Sequence, residues 1–394
     1  MNGRRLIVIG AGPTGLMAAM SGVRRGWDVK ILERDEVGAS IRGWGPTRFF
    51  SPLAMNLPSG AAELLGGRLP PDDTLLTGPE FVENVLVPLA DSEVLSRRIK
   101  TGHRVIAVGR SGLTRSDLAG HPVRAERPFR LLVETPEGER TFEADAVIDA
   151  SGTYGLPAAL GAGGIPALGE RCLVGRLVRN LGELHARLGA LGGKKILLAG
   201  HGHSAAHAIL QFAALVEEAP ETQVVWATRS LHQRPCVEVP SDPLPERQRV
   251  VGKANQLAAR PPRWLTVERR AAVEAIREEE GGKLRVALLG GRAVLVDEIV
   301  GLTGYRPDLS FLSELAIDIA PATEGAARLT RALSNVTDCL SVPTVAPADL
   351  DSGESGFHFA GAKSYGRART FLLKNGYAQL ETILTRLDAG ASSR

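Results

Sequence analysis

Cysteine is scarce. The chain of 394 residues has three, Cys172, Cys236 and Cys339, far apart and with no Cys-x-x-Cys pair. An odd number at such spacing argues against a disulfide scaffold and for a reducing, cytoplasmic setting. It leaves no material for a dithiol relay or a thiolate zinc site, and each thiol reads as buried and inert. Excess charge of either sign is also lacking: Lys+Arg is 47 against Asp+Glu 44, a net charge of +3. So balanced a surface argues against a nucleic-acid or acidic-membrane partner. No apolar run is long and uninterrupted enough to span a bilayer. The opening MNGRRLIVIGAGPTGLMAAM has two arginines and then an apolar run, like a signal peptide, but three glycines and a proline interrupt that run. It reads as a strand and a helix of the fold.

What is present is an ordinary globular composition, 44% apolar and 23% charged, in a chain long enough for two or three domains. Residues 6–9 (LIVI) form a short apolar run, as in a strand buried on both faces of a parallel sheet. The run enters Gly10-Ala11-Gly12-Pro13-Thr14-Gly15, and residues 16–25 read as a helix. Gly10 permits the tight turn, Gly12 lets the backbone approach a pyrophosphate, and Gly15 lets the helix pack close to the sheet. The helix N-terminus offers free N–H groups to the phosphates. A second strand, 28–32, ends at Glu33, near the spacing at which a carboxylate accepts hydrogen bonds from ribose hydroxyls; Arg34 follows it. Strand, glycine loop, helix, strand and acid in that order make a strong dinucleotide signal.

The pattern recurs. Residues 196–199 (ILLA) lead into Gly200, Gly202, His203, Ser204 and Ala205, then a helix over 206–218 and a strand over 223–227. That strand ends in Thr228-Arg229-Ser230 without an acid. A carboxylate there would repel a 2′-phosphate, whereas a guanidinium pairs with it, so the second site suits NADPH. His201, His203 and His207 raise the rival of a metal site. A metal would have to sit where the pyrophosphate sits, and no carboxylate is near in sequence to complete its ligands, so no metal is expected. His203 is instead placed to donate to a phosphate or ribose. Two dinucleotide loops, the acid-ended one suited to FAD, point to electron transfer between cofactors.

Further segments fit this layout. Residues 104–110, 129–134 and 141–143 read as a β meander, 145–152 (DAVIDASG) as a strand running into small residues including Gly152, and 284–289 with 293–296 as a hairpin. Residues 357–361 read as a strand reaching Gly361 and Ala362, and 369–387 as a final helix. The proline-rich stretch 231–262 reads as a long loop at a substrate entrance, with Trp44, Arg48, Phe49 and Phe50 as another wall.

On IGAGPTGL (9–16) with Glu33, DAVIDASG (145–152), AGHGHSA (199–205), GLTGYRPD (301–308) and FHFAGA (357–362), the chain resembles the two-dinucleotide-binding-domain flavoproteins, in particular their flavin-containing monooxygenase-like branch. The resemblance covers nearly the whole chain. It implies an α/β fold of two Rossmann-like domains: an FAD-binding domain from residues 1–160 and 297–394, carrying the β meander, and an inserted NADPH-binding domain, 161–296. It also implies that GASIR (38–42), and in it Arg42, lies beside FAD, that the backbone of Val105 meets the adenine, and that Asn56 of SPLAMNLP (51–58) lies near the reactive flavin carbon. Two departures stand out. Residues 173–179 (LVGRLVR) have Arg where the family has His, and Ala362-Lys363 replaces the acid after the C-terminal glycine. Lys363 would then offset charge on reduced flavin.

The resemblance implies an NADPH-dependent monooxygenase: hydride passes from NADPH to FAD, and a flavin C4a-(hydro)peroxide gives one oxygen atom to a small soft nucleophile such as an amine or thiol. The expected partners are a small-molecule substrate and dioxygen, without nucleic acid or membrane, and with homo-oligomerisation left open. The alternatives are a reductase of the same fold serving a quinone, metal centre or protein, and a non-catalytic FAD/NADPH redox sensor.

Overall fold

The computed structural model describes residues 3–58, 60–118, 120–173 and 175–392; Val174, within the segment that departs from the family signature, lies outside them. Fifteen strands follow one another along the described residues. They are β1 (Arg5–Ile9), β2 (Asp28–Leu32), β3 (Ile99–Lys100), β4 (Arg104–Arg110), β5 (Phe129–Thr135), β6 (Gly138–Ala144), β7 (Ala146–Asp149), β8 (Lys195–Ala199), β9 (Gln223–Thr228), β10 (Leu265–Arg269), β11 (Val273–Glu278), β12 (Leu284–Leu288), β13 (Arg292–Val296), β14 (Glu298–Gly301) and β15 (Phe357–Phe359). Four long helices frame them: α1 (Pro13–Arg24), α2 (His203–Glu218), α3 (Pro245–Ala259) and α4 (Leu373–Ser392).

Two parallel sheets organise the chain. The first has the order β15-β7-β1-β2-β3, the second β10-β9-β8-β14. Two antiparallel three-stranded sheets, β4-β5-β6 and β11-β12-β13, attach to the first and second units. The apolar runs read from the sequence are the central strands β1 and β8, buried on both faces. Along β8 the two faces alternate: Ile196 and Leu198 join one core cluster with Phe212 and Trp226, and Leu197 and Ala199 join another with Val286 and Ile299. Alternation of this kind, apolar on both sides, requires layers above and below the sheet. In the first unit α1 and α4 form one such layer.

Three expectations are corrected. Residues 298–301, expected to belong to the first unit from 297 onward, form β14 and pair with β8, Ile299 opposite Leu197. The sheet pairing changes after Gly301, because β8 needs an apolar neighbour on its second edge and the Ile-Val-Gly of β14 supplies it. Second, 231–262 is not one loop. From Pro245, at the first helical turn, it is the helix α3, burying Arg247, Val250, Val251, Ala254, Asn255 and Ala258. That set has helical spacing, but an Arg and an Asn among its buried members hide the period from a purely apolar reading. Third, the final helix begins at Leu373, leaving Arg369 outside it.

Candidate functional site

The first glycine loop leaves the C-terminal end of β1 between β2 and β7, the position where open parallel sheets bind ligands. Gly10 has φ 100°, and a Cβ on it would lie 2.9 Å from the Ala150 carbonyl oxygen. A Cβ on Gly15 would lie 1.9 Å from the Gly10 carbonyl oxygen, so α1 could not sit this close to its own loop. Gly12 differs: a Cβ there would meet nothing within 4 Å. It faces open space at the N-terminus of α1, where no side chain caps the helix and Pro13 occupies the first turn. Glu33 closes the loop. One carboxylate oxygen accepts from the Ala11 N–H at 2.7 Å, the other from the Asp35 N–H at 2.9 Å.

Gly152 and Gly361 converge on the same end of the sheet, beyond β7 and β15. Both have positive φ, 69° and 65°, and Gly361 lies so close to Thr14 that a Cβ would come within 2.5 Å of its hydroxyl. Ala362 opens the short helix Ala362–Tyr365 behind Gly361. Val105 is buried on β4 opposite Val133, at a bulge. Arg34 is exposed and pairs with Asp35. Arg42 pairs with Glu83 through one terminal nitrogen, while its Nε is buried without a hydrogen-bond partner, as are Trp44 Nε1 and Thr47 Oγ1 on the same stretch.

The second loop repeats the first. Gly200 has φ 133°, and a Cβ on it would lie 2.3 Å from the Leu302 carbonyl oxygen, as Gly10 abuts Ala150. Gly202, like Gly12, faces open space and begins an uncapped helix, followed by His203 and Ser204. Ala205, in the place of Gly15, is fully buried. Trp226 fixes the loop by donating its indole N–H to the Gly200 carbonyl at 2.7 Å. Beyond β9, the Thr228 hydroxyl accepts from the Ser230 N–H at 3.1 Å, and a cleft of about 690 Å³ opens, lined by His201, Arg229, Ser230, His232 and Arg234 among others. Arg234 pairs with Glu238; Arg229 makes no hydrogen bond or ion pair among the described residues.

The histidines are crowded by protein. Phe50, from the first unit, stacks on His207 with ring centroids 5.2 Å apart and stands edge-on to His203 at 5.1 Å, although His203 keeps an exposed edge. Desolvation pushes all three imidazoles below their ordinary value, His207 to about 4. Neutral imidazoles donate and accept hydrogen bonds but bring no fixed charge to a phosphate. No group of three or more His, Cys, Asp or Glu among the described residues is placed to hold a metal ion.

Asn56 and Lys363 are both buried and both engaged. The Asn56 amide donates to the carbonyls of Ser51 and Pro52 at 3.0 and 3.1 Å and accepts from the Ser51 hydroxyl at 3.0 Å, while Tyr377 donates to its backbone carbonyl. Lys363 donates to the Ser151 hydroxyl at 3.1 Å and the Asp308 carbonyl at 2.5 Å, and lies 3.3 Å from Asp149 in an ion pair exposed on neither side. Sequence reasoning passed over Asp149 and Trp226. The one signal for Asp149 was a carboxylate at a strand position where both faces are apolar, which requires a partner; Trp226 stood in an apolar run and read as core.

No protein-family model and no curated protein sequence matches the chain. Solved structures match over its full length. Bacillithiol disulfide reductase Bdr (YpdA) from Staphylococcus aureus is 18% identical with a TM-score of 0.67, covering 100% of both chains. Thioredoxin reductase from T. acidophilum is 17% identical with a TM-score of 0.59, covering 98% of this chain and 99% of the other. The ornithine N-hydroxylase of Kutzneria sp. 744, solved with reduced FAD, NADP+ and L-ornithine, is 16% identical with a TM-score of 0.64, covering 98% and 99%. At such identities what is shared is architecture, and with two glycine cradles on two parallel sheets the chain has the fold of the two-dinucleotide-binding-domain flavoproteins.

Proposed function

We propose that this protein is an FAD- and NADPH-dependent oxidoreductase, with FAD on the first cradle and NADPH on the second. The observation that carries the reading is the pair of matching loops, one closed by Glu33 and the other followed by Arg229, a cation without a partner among the described residues. The first unit meets the second loop where Phe50 packs on His203 and His207. The residues fit both groups. Gly12 and Gly202 leave room for a pyrophosphate beside uncapped helix N-termini. Glu33 suits ribose hydroxyls, and Arg229 suits a 2′-phosphate. The orphaned buried atoms Arg42 Nε, Trp44 Nε1 and Thr47 Oγ1 offer polar groups that protein alone leaves unmatched.

Bound flavin supplies two-electron chemistry that no side chain here provides. The protein's own part is to bind, orient and exclude water. The side chains that would wall the site form an aromatic cluster, in which Trp44 contacts Phe49 and Tyr154, with centroids 4.8 and 5.6 Å away, and the partly exposed Tyr154 contacts Tyr305 at 4.8 Å.

For the fate of the electrons we carry forward oxygen transfer to a small soft nucleophile, an amine, thiol or related heteroatom, with dioxygen as co-substrate. Such a nucleophile attacks without a dedicated acid or base. A second reading, reduction of an external acceptor such as a quinone or a low-molecular-weight disulfide, is favoured by the engagement of Asn56 within its own loop. NADPH oxidation across a panel of amines, thiols and ketones, with product masses recorded, separates the two. Oxygen transfer predicts a product heavier by one oxygen atom. Reduction predicts NADPH turnover without oxygen, supported by quinone or disulfide. Protein that is colourless and takes up no FAD on reconstitution overturns both.

A further inference from the structure

One buried ion pair has its cation at the rim of the first cradle. Asp149 ends β7, level with Ile9 at the end of β1 and Phe359 at the end of β15. Lys363 follows β15, in the short helix behind Gly361. Their side chains are 0% and 1% exposed. The Lys363 ammonium lies 3.3 Å from the Asp149 carboxylate and donates to the Ser151 hydroxyl at 3.1 Å and the Asp308 backbone carbonyl at 2.5 Å. Its remaining side faces the Phe311 ring, 5.0 Å from the centroid. Asp308 gives its own carboxylate to the N–H and hydroxyl of Ser310. One Asp149 oxygen accepts from the Ser151 N–H at 3.0 Å; the other has no hydrogen-bond partner among the described residues and has only the lysine cation against it.

Backbone contacts tie this lysine to the glycine loop. Ser151, which accepts its hydrogen bond, abuts the first glycine: a Cβ on Gly10 would lie 2.9 Å from the Ser151 Cα. Gly361, just before the lysine's helix, abuts Thr14 in the first turn of α1. The pair therefore has a direction. Its carboxylate belongs to the sheet, and its ammonium joins that carboxylate to Ser151 and Asp308, beyond the strand ends. The cation is the outer member, on the side of the loop.

We infer that Lys363 sets the reduction potential of FAD held on the first cradle, raising it through the field of its charge, and that Asp149 opposes it from within the sheet. This rests on the reading of that cradle as the FAD site. A hydride brings two electrons and one proton, so its transfer to the flavin adds one negative charge. A fixed cation stabilises the added charge and a fixed anion opposes it. Away from water, such charges act at a distance with little screening. Lys363 needs no contact with the cofactor for this, so its burial strengthens the effect.

The test is the flavin reduction potential near neutral pH, read by absorbance while FAD-loaded protein equilibrates with a reference dye. It compares wild type, Asp149→Asn, Lys363→Met and the double variant. Asp149→Asn is expected to raise the potential and Lys363→Met to lower it, each shifting the reduction equilibrium about tenfold, or about 30 mV for two electrons. The lysine is isolated even where Lys363→Met alone does not fold. The double variant, which leaves no charge of the pair buried alone, is expected to be about tenfold harder to reduce than Asp149→Asn. Damage to packing would move the variants in one direction, whereas charge moves the two single variants apart. The proposal is overturned if the double variant matches Asp149→Asn, or if Asp149→Asn lowers the potential. A wild-type protein that takes up no FAD removes the FAD reading and this proposal together; FAD-loaded variants that share the wild-type potential remove this one alone.

Discussion

Among single residues, the glycines separate by what surrounds them. Gly12 and Gly15 are three positions apart in one motif, yet only Gly15 has no room for a Cβ. Gly12→Ala is expected to fold with an unchanged melting temperature and to lose most of its FAD, read as flavin absorbance per protein. Gly15→Ala is expected to lower stability by about 2 kcal/mol or more, since the clash is with backbone that cannot rotate away. Denaturant titration of both variants distinguishes the roles. The Asp149–Lys363 pair makes a second residue-level prediction. Lys363→Met leaves a buried carboxylate without its cation, an expected loss of about 3–5 kcal/mol. Adding Asp149→Asn restores much of it, and a double-mutant cycle by urea unfolding measures the coupling. The glycine motifs were legible because their spacing is local. The ion pair was not, because its halves lie on β7 and after β15, and only the sheet order makes those strands neighbours.

For whole elements, α2 and α3 show what an apolar pattern conveys. α2 buries Ala206, Ala208, Ile209, Phe212 and Leu215, and its period was plain. α3 puts Arg247 and Asn255 on its buried face, so the same period was present but written in polar letters. Asn255 is satisfied there by both backbone groups of Cys236, an exchange visible only once the preceding segment is folded back on the helix. α2 also carries a pH dependence. His207 binds its proton in the folded state only near pH 4, below its unfolded value of 6.5, through burial first and with Glu246, His203 and Arg249 as the charges around it. A base with a depressed folded pKa makes the unfolded chain the better proton acceptor. Its contribution is therefore complete above about pH 6.5 and is lost as the pH falls toward 4. His207→Phe, which keeps the stack on Phe50, is expected to flatten the fall in melting temperature across that window.

For the molecule as a whole, one of the contacts that join the two units is a buried cation. Arg247 of α3 holds Asp242 within its own unit and Asp338 of the first. Arg247→Met is expected to loosen the junction: faster cleavage by protease near residues 336–341 and a lower melting temperature, with FAD content retained because the first cradle is untouched. Restored protease resistance in Arg247→Lys would show that charge rather than shape does the joining.

The sequence by itself determined both cradles, since a strand, a glycine loop and a helix are set by neighbours within about twenty residues, and with them the α/β class and the acid-ended and base-ended loops. Only the tertiary structure decided which strand closes the second sheet, which charges meet in the interior, and that Phe50 of one unit stands at the loop of the other. Those outcomes depend on contacts between segments far apart in the chain, and no local pattern encodes which distant partner will satisfy a buried charge or cover a strand edge.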